Sequence, residues 1–141
     1  MNEPVWVKLE AVLIFHEEQL LEFGGASGIR DRGAIESALA RPKNLFAYGK
    51  PDLFDLAAAY TAGLSQNHGF IDGNKRTAFL TGVVFLAGNN YDVVAEQAEV
   101  IAAMLDLADH QLDETGYAHW LRDHAGYRPR LVQPDRLGLE Q

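Results

Sequence analysis

The chain has no cysteine, so no disulfide can brace it, and with 48% hydrophobic residues in 141 it has to rely on an ordinary apolar core. Long hydrophobic runs are missing too. No stretch approaches the roughly 18 apolar residues that span a bilayer, and the opening Met1-Asn-Glu-Pro-Val-Trp6 lacks the basic start and apolar run of a secretory signal. We therefore expect a cytoplasmic chain without a membrane partner. Positive charge is also sparse: 12 Lys and Arg stand against 20 Asp and Glu, a formal net charge of -8. This disfavours direct nucleic-acid binding, which draws its affinity from clustered cations. Between Thr77 and Leu121 there is no Lys or Arg at all, while Asp92, Glu96, Glu99, Asp106, Asp109, Asp113 and Glu114 read as a solvated acidic face.

Helical periodicity fills much of this chain. Val5, Leu9, Val12, Leu13, Leu20 and Phe23 mark one face of a first helix running from about Pro4 and stopped by Gly24-Gly25. Asp31 can cap a short second helix that is expected to end before Pro42. Asp52, with Asp55 in the first turn, caps a third helix reaching about Asn67. A fourth starts with Asn74 as its cap and ends near Gly88. Its apolar residues occupy more than one stripe, and Ala78 and Gly82 permit close approach, so it is expected at the centre of a bundle. Two more helices fit about 95–108 and 114–124. Strand signals are few: 27–30 and 45–48 can form a short flap. The expectation is an all-α bundle of about six helices in one domain, residues 1–125, followed by an irregular tail, 126–141.

The chemistry concentrates in His68-Gly-Phe-Ile-Asp-Gly-Asn-Lys-Arg76. A helix N-terminus offers free N–H groups and the positive end of the dipole, and Lys75 and Arg76 add two cations, which together make an anion site. Gly69 and Gly73 let a ligand approach the backbone, and Arg76 can grip a phosphate through two parallel hydrogen bonds. Asp72 supplies a hard oxygen suited to Mg2+, and His68 can take a hydroxyl proton at neutral pH. Phe70 is read as an apolar peg that anchors the loop. Taken singly, each of these residues has a structural reading: a capping histidine, an Asp-Gly turn, an Asn cap, a solvated Lys-Arg pair. Their joint occurrence in an acidic chain is what points to a site. His16, on the apolar face of the first helix, reads as a packed, hydrogen-bonded core residue.

The nine-residue segment, extended by Thr77 and Ala78, resembles the signature of the death-on-curing (Doc) toxins within the Fic superfamily. The likeness reaches beyond the loop, through Phe15–Gly25, Gly28–Asp31, Ala34–Arg41 and Asp52–Ala58, and covers about residues 5–124. It implies a compact helical fold of the Fic/Doc type. It also implies His68 as general base toward a target hydroxyl, Asp72 as Mg2+ ligand, and Gly73, Asn74, Lys75 and Arg76 as the phosphate cradle for ATP. Gly69 stands where relatives often carry proline. Lys75 stands where relatives that transfer AMP usually carry glycine, and in Doc toxins this lysine accompanies a reversed nucleotide and phosphorylation. The resemblance therefore implies a kinase-like toxin acting on a translation factor, elongation factor Tu, with adenylyl transfer or a catalytically silent interaction module as alternatives. The self-inhibitory Ser/Thr-x-x-x-Glu-Gly/Asn motif of some Fic enzymes does not occur, so control is expected from a separate antitoxin.

Overall fold

The computed structural model describes residues 1–130 and 137–140. Among them are six α-helices: α1 (Leu9–Phe23), α2 (Arg32–Tyr48), α3 (Leu53–Asn67), α4 (Asn74–Gly88), α5 (Gln97–Ala108) and α6 (Glu114–His124). Two antiparallel strand pairs complete the all-α bundle. β1 (Trp6–Val7) pairs with β4 (Leu139–Glu140), and β2 (Tyr91–Val93) with β3 (Ala125–Tyr127).

The centre of the bundle is α3, not α4 as the stripes of α4 suggest. Every residue from Leu56 to Ser65 is buried. Small side chains explain this: Ala57, Ala58, Ala59, Ala62 and Gly63 leave room for neighbours on all sides, so α2, α4 and α6 each pack against α3. The helix begins as expected. Asp52 accepts from the Asp55 N–H at 2.8 Å and Asp55 accepts from the Asp52 N–H at 2.9 Å. On its α4 side, Thr61 donates its hydroxyl to the Ala78 carbonyl at 2.9 Å.

Four other expectations need correction. Pro42 does not end α2, which continues to Tyr48. An internal proline forfeits one helical hydrogen bond and crowds the preceding turn, at a cost of about 3 kcal/mol. Packing outweighs that cost, because Pro42 is itself buried and Leu45 and Phe46 reach the core, with Phe46 meeting Trp6 edge-on at 5.7 Å. Residues 45–48 are therefore helical, and only the other half of the expected flap persists, as a single bridge between Ile29 and Phe70. The tail is also less irregular than expected. Residues 126–127 lie in β3, and Leu139, almost fully buried in β4, pairs with Val7, which is why the first helix starts at Leu9 instead of near Pro4. The part of the tail at 131–136 lies outside the described residues.

Part of the acidic stretch is engaged in structure. Asp113 caps α6 through the Gly116 N–H at 2.7 Å, Glu114 pairs with Arg41 at 2.8 Å, and Asp92 meets Arg128 and Arg130. No helix among the described residues is long and apolar enough to cross a membrane.

Candidate active site

The loop between α3 and α4 begins at His68, the C-cap of α3, which adopts the left-handed conformation at φ 50°. Non-glycine residues rarely occupy that region, and histidine is among the few enriched there. The next residue anchors the turn. Gly69 is buried, and its carbonyl accepts the N–H groups of Arg30 and Asp31 at 2.8 and 2.9 Å. A Cβ at position 69 would run into the Ile35 side chain, so only glycine lets the loop close onto the start of α2. The His68 ring itself is exposed.

Phe70, 2% exposed, is the peg that the sequence suggests, and its main chain is clamped as well. The Asn74 side chain accepts from the Phe70 N–H at 3.0 Å and donates to the Phe70 carbonyl at 2.9 Å. Asn74 is therefore not the cap of α4 but its first residue, with both ends of its amide spent on shaping the loop. The cap is Gly73, at φ 77°, a conformation that disfavours any residue with a Cβ. Because Gly73 has no side chain to bond back, the N–H groups of Asn74, Lys75 and Arg76 in the first turn carry no side-chain cap. The helix mouth stays chemically open toward an anion.

Asp72 projects into the solvent beside that mouth. The Ala26 N–H, at 3.2 Å from Oδ2, and the Gly73 N–H, at 2.9 Å from Oδ1, hold its carboxyl below the usual range, and the charge of Arg76 adds to them. An ionised carboxylate results. Among the described residues no three His, Cys, Asp or Glu side chains gather around a common point, so no protein-only metal cage is built. One exposed carboxylate at a helix mouth does fit Mg2+ carried in on nucleotide phosphates, because that ion keeps several waters and takes one or two protein carboxylates.

Lys75 and Arg76 are exposed and line one end of a groove of about 700 Å³. Its walls are the end of α1, with Gln19, Glu22 and Phe23, the first half of α4, with Phe79 and Leu80, and α5, with Val100, Ile101, Met104 and Leu105. The Arg76 guanidinium lies over the Phe23 ring, 4.3 Å from its centre. In the sequence Phe23 stands out only as a helix-face residue.

The structure thus ties Phe70 to Asn74, Asp72 to Gly73, and Asp72 electrostatically to Arg76. His68 enters from the α3 side, and among the described residues no hydrogen bond links its ring to the others. Sequence reasoning missed two contributors to the site: Ala26, whose N–H reaches Asp72 from the glycine-rich link, and Phe23. The core expectation for His16 holds, since it is 4% exposed, but its partner is unforeseen: Nε2 lies 2.8 Å from the Asp72 carbonyl. The one available signal was a polar residue on an otherwise apolar helix face.

Comparison with known proteins adds family context. The profile of the Fic/DOC family matches residues 6–86, more than half of the chain. A protein of Mycolicibacterium smegmatis named Toxin Doc is 40% identical over 79 residues, 54% of this chain and 60% of that relative. A protein of Escherichia phage P1 named Protein kinase doc is 29% identical over 114 residues, 80% of this chain and 90% of that relative. The match thus spans somewhat less than two thirds of the mycobacterial protein and most of the phage one.

Proposed function

The chain belongs to the Fic/DOC family, and from that premise we propose that it is a Doc-like toxin that moves the γ-phosphoryl group of ATP onto a hydroxyl of another protein. The observation that carries this reading is the uncapped mouth of α4, flanked by an ionised Asp72 and by the Lys75 and Arg76 cations. Phosphoryl transfer asks a protein mainly for positioning and neutralisation of charge, and this mouth offers both.

In the proposed reaction His68 removes the proton from the acceptor hydroxyl, whose oxygen forms a bond to the γ-phosphorus. The bond from that phosphorus to the bridging oxygen breaks, and ADP departs with the electron pair. Asp72 would hold Mg2+, which when bound offsets the charge of the phosphate oxygens. The open N–H groups of Asn74, Lys75 and Arg76, together with the Arg76 guanidinium, receive the phosphates. The Asn74 amide contributes indirectly, by fixing Phe70 and hence the loop. The acceptor inferred by resemblance is a translation factor, elongation factor Tu, and the expected location is the cytoplasm. A cognate antitoxin is inferred as partner, and the apolar groove that ends at Lys75 and Arg76 is where its segment would lie. Failure to recover a complex with the co-expressed neighbouring gene product would count against that partner.

Adenylyl transfer is the second reading, because the same mouth can receive phosphates in either orientation. Purified protein incubated with cell extract and ATP labelled at the α or the γ position separates the two. Label from the γ position on a protein, reduced roughly 10²- to 10⁴-fold by His68→Ala, is the expected result. Label from the α position instead would establish adenylylation, and no label from either would leave a silent module.

A further inference from the structure

His16 is the one buried histidine among the described residues, and the proposed reaction does not use it. It sits on α1 in line with Val12, an apolar face where a leucine would pack with no polar atom to satisfy. Its ring lies flat against Phe70, with centroids 3.8 Å apart and planes 10° from parallel. Nε2 donates to the main-chain carbonyl of Asp72 at 2.8 Å, which requires the tautomer protonated on Nε2. The backbone of Gly73 also comes close: a Cβ added there would stand 3.6 Å from His16 Cδ2 and 3.7 Å from Nε2. A single side chain thus touches the apolar peg and the carboxylate residue, and it lines the space a side chain would fill at the left-handed cap.

The geometry points to His16 as a positioning residue, one that fixes the peptide between Asp72 and Gly73 and thereby aims both the Asp72 carboxylate and the open mouth of α4. The inference rests on the functional reading above for what the aim serves. The mechanical basis is independent of it. Rotation of the 72–73 peptide would turn the Asp72 carbonyl away from Nε2, leaving a buried imidazole donor without its partner. The same rotation would displace the Gly73 N–H, which bonds Asp72 Oδ1, and would disturb the φ of 77° that opens the helix. The Ala26 N–H steadies the carboxylate from the other side, so the aspartate is held through both its main chain and its side chain. Groups that hold a ligand residue in this way commonly account for about 10- to 100-fold in metal affinity or activity.

His16→Phe keeps a flat ring against Phe70 and removes the donor, whereas His16→Gln restores an amide N–H in place of Nε2–H without the ring. Three readouts on the full chain test the inference. Amide exchange at residues 70–74 in the ligand-free protein should quicken in His16→Phe and return toward the parent rate in His16→Gln. Mn2+ binding in the presence of a non-hydrolysable ATP analogue, followed by electron paramagnetic resonance, should weaken about 10- to 100-fold in His16→Phe and recover largely in His16→Gln. A core residue without a positioning role would change the melting temperature but neither of these. The third readout, a nitrogen-15 spectrum of the unaltered protein, needs no variant to fold, and should show His16 protonated at Nε2. A proton on Nδ1 alone, or a folded His16→Phe with unchanged loop exchange and Mn2+ affinity, overturns the proposal. Absence of Mn2+ binding by the unaltered chain would strike the functional reading instead, and loop exchange and the tautomer would then decide the role of His16.

Discussion

The helices α3 and α5 start alike and live differently. Both open on an acidic residue, Asp52 or Glu96, whose N–H is accepted by a carboxylate three positions on. Beyond that first turn α3 is buried on every side from Leu56 to Ser65, whereas α5 buries only Ala103, Met104 and Leu107 and leaves Ile101 and Leu105 about half exposed in the groove. The contrast assigns the two regions separate tasks. α3 is the foundation from which His68 projects, so its packing determines whether the loop has a fixed base. α5 is a groove wall, held through fewer buried groups. Local opening of a helix takes less free energy where less apolar surface is buried.

The largest expected effect tests whether stability is partitioned in that way. Leu56→Ala removes a fully buried side chain in the middle of the bundle and should cost about 2–5 kcal/mol, the range for truncations that leave a cavity. Leu105→Ala, on the exposed side of α5, should stay within about 0.5 kcal/mol. Urea unfolding midpoints compared at equal slope measure both. Equal losses at the two positions would abolish the distinction. A smaller effect is expected at the caps. Asp52→Ala deprives α3 of its first-turn acceptor and Arg122 of its partner, and should cost about 0.5–2 kcal/mol by the same measurement. A value near zero there would mean that burial alone holds α3 and that its capping is incidental.

What the sequence makes legible depends on distance along the chain. The nine residues of the loop are contiguous, so their chemistry is visible as a string, and the caps Asp52 and Asp113 announce themselves within three residues of their targets. The six helices are legible from their periodicity for the same reason. Contacts closed by the tertiary fold are not. His16 meets Asp72 across 56 residues, and Phe23 receives Arg76 only because α1 lies along α4. The extension of α2 past Pro42 depends on Trp6 and the core, which no local rule can weigh against proline. The misjudged centre of the bundle has a different origin. Periodicity rewards large apolar residues, and α3 is central because small residues lie between its large ones, on every side of the helix. Asn74 looks like a cap in the sequence because the residue before it, Gly73, has no side chain to signal its role.

The smallest effect concerns what fastens α5. His124, at the end of α6, has acceptors at both ring nitrogens: the Trp120 carbonyl at 2.7 Å from Nδ1 and Glu99 Oε2 at 2.8 Å from Nε2. Both bonds form together only when the ring is protonated. The Trp120 carbonyl, followed by Glu99, raises the His124 pKa above the ordinary 6.5, and the same pairing lowers that of Glu99 below the ordinary 4.5. A raised histidine stabilises the folded form fully below 6.5 and loses that contribution as the pH climbs through its folded value; a lowered carboxylate contributes fully above 4.5 and loses it as the pH falls through its own. The fastening is therefore complete between 4.5 and 6.5; above that window it fades as His124 loses its proton, and below it as Glu99 gains one. Amide exchange in α5, corrected for the intrinsic rate and divided by that of α3, should stay level up to 6.5 and rise as the pH climbs beyond it through the raised His124 value. Glu99→Gln, which cannot form the ion pair, should flatten that rise. A ratio that stays constant in the unaltered chain would mean that its few buried contacts alone hold α5, and that the groove wall is as firm at pH 8 as at pH 5.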